Sequence, residues 1–423
     1  MGRSSENSQR QLIFKFLLFI FFLAHISIPA AAKELTVCPT CDLKTPQEAY
    51  AKAQDGDRIL IKPGTYIVHG FNIEKSIDLI GEGEPTFDGQ TPPGHMIQIS
   101  KPNVKIQGIH FTNAGNSTVN DLAAIYVNET EKCFIADNFI ENSFFGIYIA
   151  GSKSCTILNN KILGPNRIES ESGNAIHIWK GEDMSIVNNI TTGHRDGIYF
   201  EFVSNSRIGG NYSHHNQRYG LHFMFSNNNE YRKNRFTHNG AGVAVMYSKK
   251  IMMQENEFSD SWGPSAFGLL LKDIYDSKIE KNYFTKNTIA VYMEGSNRSI
   301  LSENNLTDNG WALRVMGNCE DNHFTLNNFV NNTFEMSTNS SSNYNTFHRN
   351  YWSSYEGYDL NRDGLGDIPY RPVKLSAVMM EKFGLSFLLI KSLFLTIADK
   401  AESLFPSLTP ENLYDDEPLM KEF

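Results

Sequence analysis

Between Ala124 and Val315 the chain repeats one alternation of apolar and variable positions in nine short segments. They are Ala124-Ile125-Tyr126-Val127, Gly146-Ile147-Tyr148-Ile149, Ala175-Ile176-His177-Ile178, Gly197-Ile198-Tyr199-Phe200, Gly220-Leu221-His222-Phe223, Gly242-Val243-Ala244-Val245, Gly268-Leu269-Leu270-Leu271, Ala290-Val291-Tyr292-Met293 and Ala312-Leu313-Arg314-Val315. A period of two is that of a strand with one covered face, so the flanking apolar pair points inward and the residue between them points out. An asparagine recurs in step with these segments, at Asn138, Asn160, Asn189, Asn211, Asn234, Asn256, Asn282, Asn304, Asn327 and Asn350. The step is about 22 residues, with two longer intervals that need loop insertions, one at 164–173 and one around 261–265. A unit of this length holds three short strands and their turns, and inward asparagines can hydrogen-bond their copies above and below. No helix keeps Asn, Ser, Gly and β-branched residues at these densities. The pattern predicts an all-β, right-handed parallel β-helix of about ten coils.

The two ends read differently. Thr45-Pro46-Gln47-Glu48 ahead of Ala49 to Ala53 is a capped helix start with proline at its first position, and the strand Arg58-Ile59-Leu60-Ile61 follows Gly56. Residues 33–66 are therefore expected to cap a solenoid spanning 67–352. Basic Arg3, Arg10 and Lys15, the apolar run Phe16 to Ile28 and then Pro29-Ala30-Ala31-Ala32 have the layout of a secretory signal peptide over residues 1–32, with the mature chain starting near Lys33. Leu12 to Ala32 is also nearly long enough to act as an uncleaved anchor. Beyond a loop and connector at 353–374, residues 375–423 read as a helical tail. Its apolar stretch, Phe383 to Ile397, is interrupted by Lys391 and suits docking on a membrane protein better than crossing a bilayer. The charged end, Glu411 to Phe423, is expected to be extended and solvent-facing.

Alternation also defines two outward columns. The first runs Tyr126, Tyr148, His177, Tyr199, His222, Ala244, Leu270, Tyr292, Arg314, and the second Asn128, Ala150, Trp179, Glu201, Met224, Met246, Lys272, Glu294, Met316. Coils lie about 4.8 Å apart and residues i and i+2 about 6.6 Å apart. That spacing groups His222, Met224 and Met246 in one patch, with His177, Trp179, Tyr199 and Glu201 just below. Thioethers and imidazole exposed together suit a soft ion, Cu(I) above all. The plainer reading is a protein-docking surface, since Tyr, Trp and Met are enriched in interface cores. The two are compatible, because a metal handed between proteins lies at an interface. Met184, Met253 and Met293 fall at inward positions, Met252 alternates outward, His214 and His215 lie in a turn, and His194 precedes the outward strand at Gly197.

A formal charge of −9 and the lack of a Lys/Arg cluster exclude nucleic acid as a partner. Five cysteines are too few for a disulfide scaffold, so stability must come from a large core. Cys133 and Cys155 share one phase of successive coils, which fits either a disulfide or stacked buried thiols. Cys38-Pro39-Thr40-Cys41 reads as a local disulfide or a tether. Asp359, Asn361, Asp363 and Asp367, with Gly364 among them, have the spacing that opens an EF-hand calcium loop, but Tyr370 stands where glutamate would complete it. A plain Asp-Gly turn is the competing reading.

Several segments together resemble one family. They include Gly173-Asn174-Ala175-Ile176-His177-Ile178-Trp179, Arg195-Asp196-Gly197-Ile198-Tyr199-Phe200-Glu201-Phe202, Arg218-Tyr219-Gly220-Leu221-His222-Phe223-Met224-Phe225-Ser226 and Val245-Met246-Tyr247-Ser248. Asn350-Tyr351-Trp352-Ser353-Ser354-Tyr355, Ile368-Pro369-Tyr370-Arg371-Pro372, Phe405-Pro406-Ser407-Leu408-Thr409-Pro410 and Glu417-Pro418-Leu419-Met420 extend the likeness over nearly the whole mature chain. The pattern resembles the NosD family of periplasmic nitrous oxide reductase maturation proteins. That resemblance implies a pectin-lyase-like solenoid and a non-enzymatic accessory role beside an ABC transporter, with permease and ATPase, at the inner membrane. It further implies that copper is received from a membrane-anchored chaperone and passed on for the copper-sulfide centre of nitrous oxide reductase, with the tail docked on the permease. It names no ligands; His222, Met224 and Met246 are candidates because they lie in matching motifs and cluster by geometry, and His177 is added from the flank just below. The Cys38/Cys41 pair and several repeat lysines depart from the family pattern. The rival is a carbohydrate-binding or polysaccharide-degrading β-helix. Such an enzyme needs carboxylates about 5–9.5 Å apart, whereas Glu201 and Glu294 are four coils, about 19 Å, apart.

Overall fold

The computed structural model describes residues 32–423 except 92–93, 116, 118–119, 166–167, 383–392 and 405–408. Residues 1–31 of the expected leader lie outside the described residues. The described chain winds through three parallel sheets of 14, 12 and 13 strands, each circuit adding one short strand to each sheet. This is the parallel β-helix that the alternation predicts, with its inward Ile, Val, Leu and Phe residues forming one continuous core.

The asparagine ladder holds the coils in register. Asn211 donates from its backbone N–H and from Nδ2 to Asn234 Oδ1, at 3.0 and 2.9 Å, and Asn234 repeats both bonds to Asn256 Oδ1 at 3.0 Å. The remaining Nδ2 proton of Asn234 goes to the Ile208 carbonyl at 2.9 Å. Every polar atom of the buried amide is thereby used, which is the condition for burying it without loss. A second ladder runs through Asn216 and Asn239, and again through Asn287, Asn309 and Asn332. Inside the stack, Phe236, Phe258 and Phe284 overlap at centroid separations of 5.6 and 4.6 Å.

The solenoid is longer than ten coils at its N-terminal end. Glu34–Val37 and Arg58–Ile61 are the first two strands of the 14-stranded sheet, and Thr65–Ile67 heads the 13-stranded one, so residues 33–66 belong to the stack rather than to a separate cap. The register places Gly64, Pro85 and Ile109 where later coils carry the ladder asparagine, and Ile109 still donates its backbone N–H to Asn138 Oδ1 at 3.1 Å. These coils follow the same path without the residue that marks it. The expected helix is present at Pro46–Lys52, with a Thr45–Glu48 capping box.

The C-terminal end also differs from expectation. Helices occupy Leu375–Lys382 and Leu393–Leu404, and no helix among the described residues is long and apolar enough to cross a membrane. The chain then returns to the solenoid: Phe347 bridges Asp415 and Tyr351 bridges Leu419 in parallel, while Leu413 and Pro418 are buried. The segment expected to be extended in solvent is thus drawn back by unmet hydrogen-bonding groups on the last coil. Asp415, 0% exposed, takes the place of the next ladder asparagine. Its Oδ2 accepts from the Asn350 N–H and Nδ2, both at 2.9 Å, and from Trp352 Nε1 at 3.0 Å, while Oδ1 accepts from the Arg349 N–H at 3.0 Å.

Asp415→Ala leaves four buried or half-buried donors without an acceptor, and each unmet donor costs about 1–3 kcal/mol. Urea unfolding of this variant should show a loss of at least about 3 kcal/mol. Burial pushes the Asp415 carboxyl above its ordinary range, against the opposing hydrogen bonds from Trp352 and Asn350. A carboxyl raised in the folded state favours folding at low pH, and that contribution is lost as pH rises through the folded value. Wild type should therefore gain stability relative to Asp415→Asn as pH falls from about 7 towards 4, and a flat difference would refute the assignment.

Candidate functional site

The 12-stranded sheet carries the outward columns in the register read from the sequence. Tyr148 pairs with His177, His177 with Tyr199, Tyr199 with His222 and His222 with Ala244, while Trp179 pairs with Glu201, Glu201 with Met224 and Met224 with Met246. Rings in the first column touch in sequence: Tyr126–Tyr148 at 5.1 Å, Tyr148–His177 at 4.7 Å, His177–Tyr199 at 4.8 Å and Tyr199–His222 at 5.0 Å.

Exposure departs from the sequence reading at one decisive position. Met224, Met246, Trp179, Glu201, Tyr199 and His177 are half-buried, but His222 is only 3% exposed. The imidazole is not displayed beside the thioethers; it is packed against Tyr199 and Tyr219. The cause is a third outward column that the alternation conceals. Each of these strands begins with an outward residue followed by an inward glycine or alanine at the sheet corner, so two consecutive residues point inward and the period of two slips. At Gly197 an added Cβ would lie 2.0 Å from Ser213 Oγ, which leaves room for glycine alone and turns Asp196 to the outside. The column so formed includes Ala123, Phe145, Asp196, Tyr219 and Ala241. Tyr219 packs on His222 at 4.8 Å, and Asp196, 1% exposed, brings Oδ2 to 3.5 Å from His222 Nδ1. Neither ring nitrogen of His222 has a hydrogen-bond partner among the described residues.

Asn174, which follows the insertion at 164–173, reaches this region. Its Nδ2 meets His177 Nδ1 at 3.0 Å and its Oδ1 accepts from the Asp196 N–H at 3.2 Å. Burial drives the His177 imidazole down to about 3 against the opposing pull of Asp196, and drives His194 down to about 4. Burial, then Glu201 and Asp196, push the Tyr199 hydroxyl up to about 12. Burial by itself would lower the Arg218 guanidinium, but Asp196 and Tyr219 hold it above its ordinary value, so Arg218 offsets the Asp196 charge.

A further feature borders the second column. Phe202, Phe225 and Tyr247 each follow a residue of that column, and each lies in the left-handed region, with φ of 54°, 49° and 52°. The same turn position holds Gly151, Lys180, Asp273 and Gly295 in other coils. For bulky residues this conformation costs about 1–3 kcal/mol each. The three rings nevertheless stack nearly parallel, at 5.3 and 5.0 Å, and remain 48%, 42% and 42% exposed. A comparison of the residue after each second-column position would have revealed them, since three neighbouring coils place an aromatic where glycine or a polar residue serves elsewhere.

Other candidates are placed as follows. Met184, Met253 and Met293 fill the core, His194 is buried, and His215 is exposed with its ring stacked on His238 at 5.0 Å. Cys38 and Cys41 form a disulfide, whereas Cys133 and Cys155 are stacked, buried free thiols. In the 359–367 loop the oxygens turn inward on the backbone. Asp359 accepts from the N–H groups of Arg362, Asp363 and Gly364, Asp363 from Leu365, and Asp367 from Leu360, while Tyr370 donates to Glu335. Among the described residues no three His, Cys, Asp or Glu side chains are arranged to hold a metal ion. A soft-ion site built on methionine has to be judged on other donors.

Fold and flank together define a parallel β-helix protein with a sheltered histidine-aromatic column edged by thioethers. Residues 164–357, the coils that carry this flank, match the family described as "Periplasmic copper-binding protein (NosD)". Over these coils the chain is similar to that family. It is 26% identical over 371 residues to the "Probable ABC transporter binding protein NosD" of Stutzerimonas stutzeri, covering 83% of this chain and 84% of that protein. Its counterpart of the same description in Pseudomonas aeruginosa is 25% identical over 393 residues, covering 87% and 89%. Among solved structures, the catalytic domain of a GH87 alpha-1,3-glucanase superposes with a TM-score of 0.59 at 10% identity, covering 77% of this chain and 70% of that one. The Dettilon tailspike protein superposes with a TM-score of 0.55 at 13% identity, covering 71% of this chain and 65% of its own length. These two show the fold.

His177 and His194 should stay neutral throughout the range from about pH 5 to 8 in ring-nitrogen NMR. Their folded values lie below the unfolded imidazole value, so their contribution to stability is complete above about 6.5 and declines as pH falls. A titration midpoint near 6.5 for either ring would refute its burial.

Proposed function

We propose that this chain is an exported, periplasmic accessory protein that carries Cu(I) as cargo on the flank around His222, Met224 and Met246. Working with an ABC transporter, it helps assemble the copper-sulfide centre of nitrous oxide reductase. The observation that carries this reading is the pairing of a buried imidazole that lacks hydrogen-bond partners with two half-exposed thioethers. Met224 is two residues from His222 on one strand, and Met246 is its register partner on the next. Thioether and imidazole donors favour Cu(I) over hard divalent ions. The description of the family as copper-binding and periplasmic supports the same reading, as does the signal-peptide layout of residues 1–32.

Within this arrangement the chain's residues divide the work. Met224 and Met246 are reachable from outside, whereas His222 is recessed and held between Tyr199 and Tyr219. Phe202, Phe225 and Tyr247 present ring edges along the rim, a surface suited to an apolar or methionine-rich face of a copper-donating chaperone or of the receiving reductase. His177, Trp179, Tyr199 and Glu201 support the flank from the coils below. The names of the two relatives support a transporter partner. The tail offers a contact for its permease, since Leu393 and Ile397 lie four residues apart on one helix and are 76% and 60% exposed.

Titration of the mature protein with Cu(I) against a chromophoric chelator should give a defined high-affinity site. His222→Ala, Met224→Ala and Met246→Ala should each weaken it at least about tenfold; unchanged affinity in all three would overturn the assignment. Permease contact is best tested with Leu393→Ser/Ile397→Ser, because deleting residues 375–423 would also remove Asp415 from the end of the ladder. The double variant should fold normally and lose co-purification with the permease and ATPase, whereas undiminished co-purification would place the contact elsewhere.

A further inference from the structure

We infer that Asp196 is a positioning residue for His222, holding the imidazole with Nδ1 towards the carboxylate and leaving Nε2 as the metal-facing atom. The inference rests on the copper reading for the identity of the metal, but its geometry stands on separate observations. Asp196 is itself fixed: its Oδ1 accepts the Tyr219 N–H at 3.1 Å and its own N–H donates to Asn174 Oδ1 at 3.2 Å. Only Oδ2 is left to face His222, and it does so at 3.5 Å from Nδ1. The ring plane is set by Tyr199 at 5.0 Å and 72° on one side and Tyr219 at 4.8 Å and 54° on the other.

A purely structural ion pair accounts poorly for these contacts. A protonated imidazole has two N–H donors; Nδ1 faces Asp196 Oδ2 at 3.5 Å without completing a hydrogen bond, and Nε2, almost wholly buried, has no acceptor among the described residues. An unmet buried donor is costly, and buried polar groups in folded proteins are overwhelmingly paired. The neutral ring with its proton on Nδ1 turns that proton towards the Asp196 carboxylate and leaves no unmet donor at Nε2. Nε2 then carries a lone pair, and the partner it lacks is a Lewis acid rather than another hydrogen-bonding group. Carboxylates that orient a metal-binding histidine through its second nitrogen act in this way, and their loss typically weakens metal binding about 10- to 100-fold. His222 shares its strand with Met224, Met246 is on the strand paired to one side of it, and Asp196 is on the strand paired to the other.

The test has two arms. In the metal-free wild-type protein, nitrogen-15 NMR should show His222 as the Nδ1–H tautomer, and the Nε2–H tautomer would overturn the inference without any metal being added. In Cu(I) competition with bicinchoninate, Asp196→Asn should weaken binding about 10- to 100-fold. Asp196→Asn combined with His222→Ala should bind no more weakly than His222→Ala alone. Wild-type affinity in Asp196→Asn, or additive losses in the double variant, would overturn the positioning role. If wild type binds no Cu(I), the copper reading fails, and the tautomer of the metal-free ring still decides whether Asp196 sets it. Should Asp196→Asn fail to fold, the wild-type NMR arm decides the question by itself.

Discussion

The asparagine-to-asparagine hydrogen bond between successive coils is the interaction on which the rest of the molecule depends. A parallel β-helix has no helical or hairpin contacts to fix one coil against the next, and slippage by a residue would turn an outward column into the core. The ladder prevents this because an amide at each corner gives its protons and accepts its neighbour's in one arrangement only. Side chains separated by two dozen residues in sequence are thereby held at van der Waals distance, and a functional flank can be assembled from single residues contributed by successive coils.

That rigidity is used most heavily around His222. Asp196 comes from one coil and His222, Met224 and Tyr219 from the next, while Met246 comes from the coil above and Asn174 from just past an insertion below. Two features there work against stability. An imidazole is buried without hydrogen bonds, and three aromatic residues accept a backbone conformation better suited to glycine. Both lie on adjoining parts of the same three coils. A partnerless buried ring and strained exposed aromatics are most informative when they adjoin in this way.

Much of this was legible from residue order alone. The period of two and the recurring asparagine specify strand register, and the columns from Tyr126 to Arg314 fall where that register puts them. The N-terminal coils were hidden because Gly64, Pro85 and Ile109 occupy the ladder position, so the path continues without its marker. The burial of His222 was hidden because Asp196 and Tyr219 precede glycines at a sheet corner, where alternation fails for one step. Asp415 was hidden for a different reason: it lies 65 residues beyond its partner Asn350, in a segment whose charge suggested solvent. Local pattern finds what the chain does repeatedly; these three features each occur where the repeat is broken.

Asp415 has a consequence for the size of the molecule. An asparagine at the end of the ladder would still have amide protons to offer, and its exposed edge could accept another strand from outside. A carboxylate only receives. By closing the final rung with a group that has nothing to donate, the chain ends its ladder of amides at this coil, with no side-chain proton left to pass to a further rung.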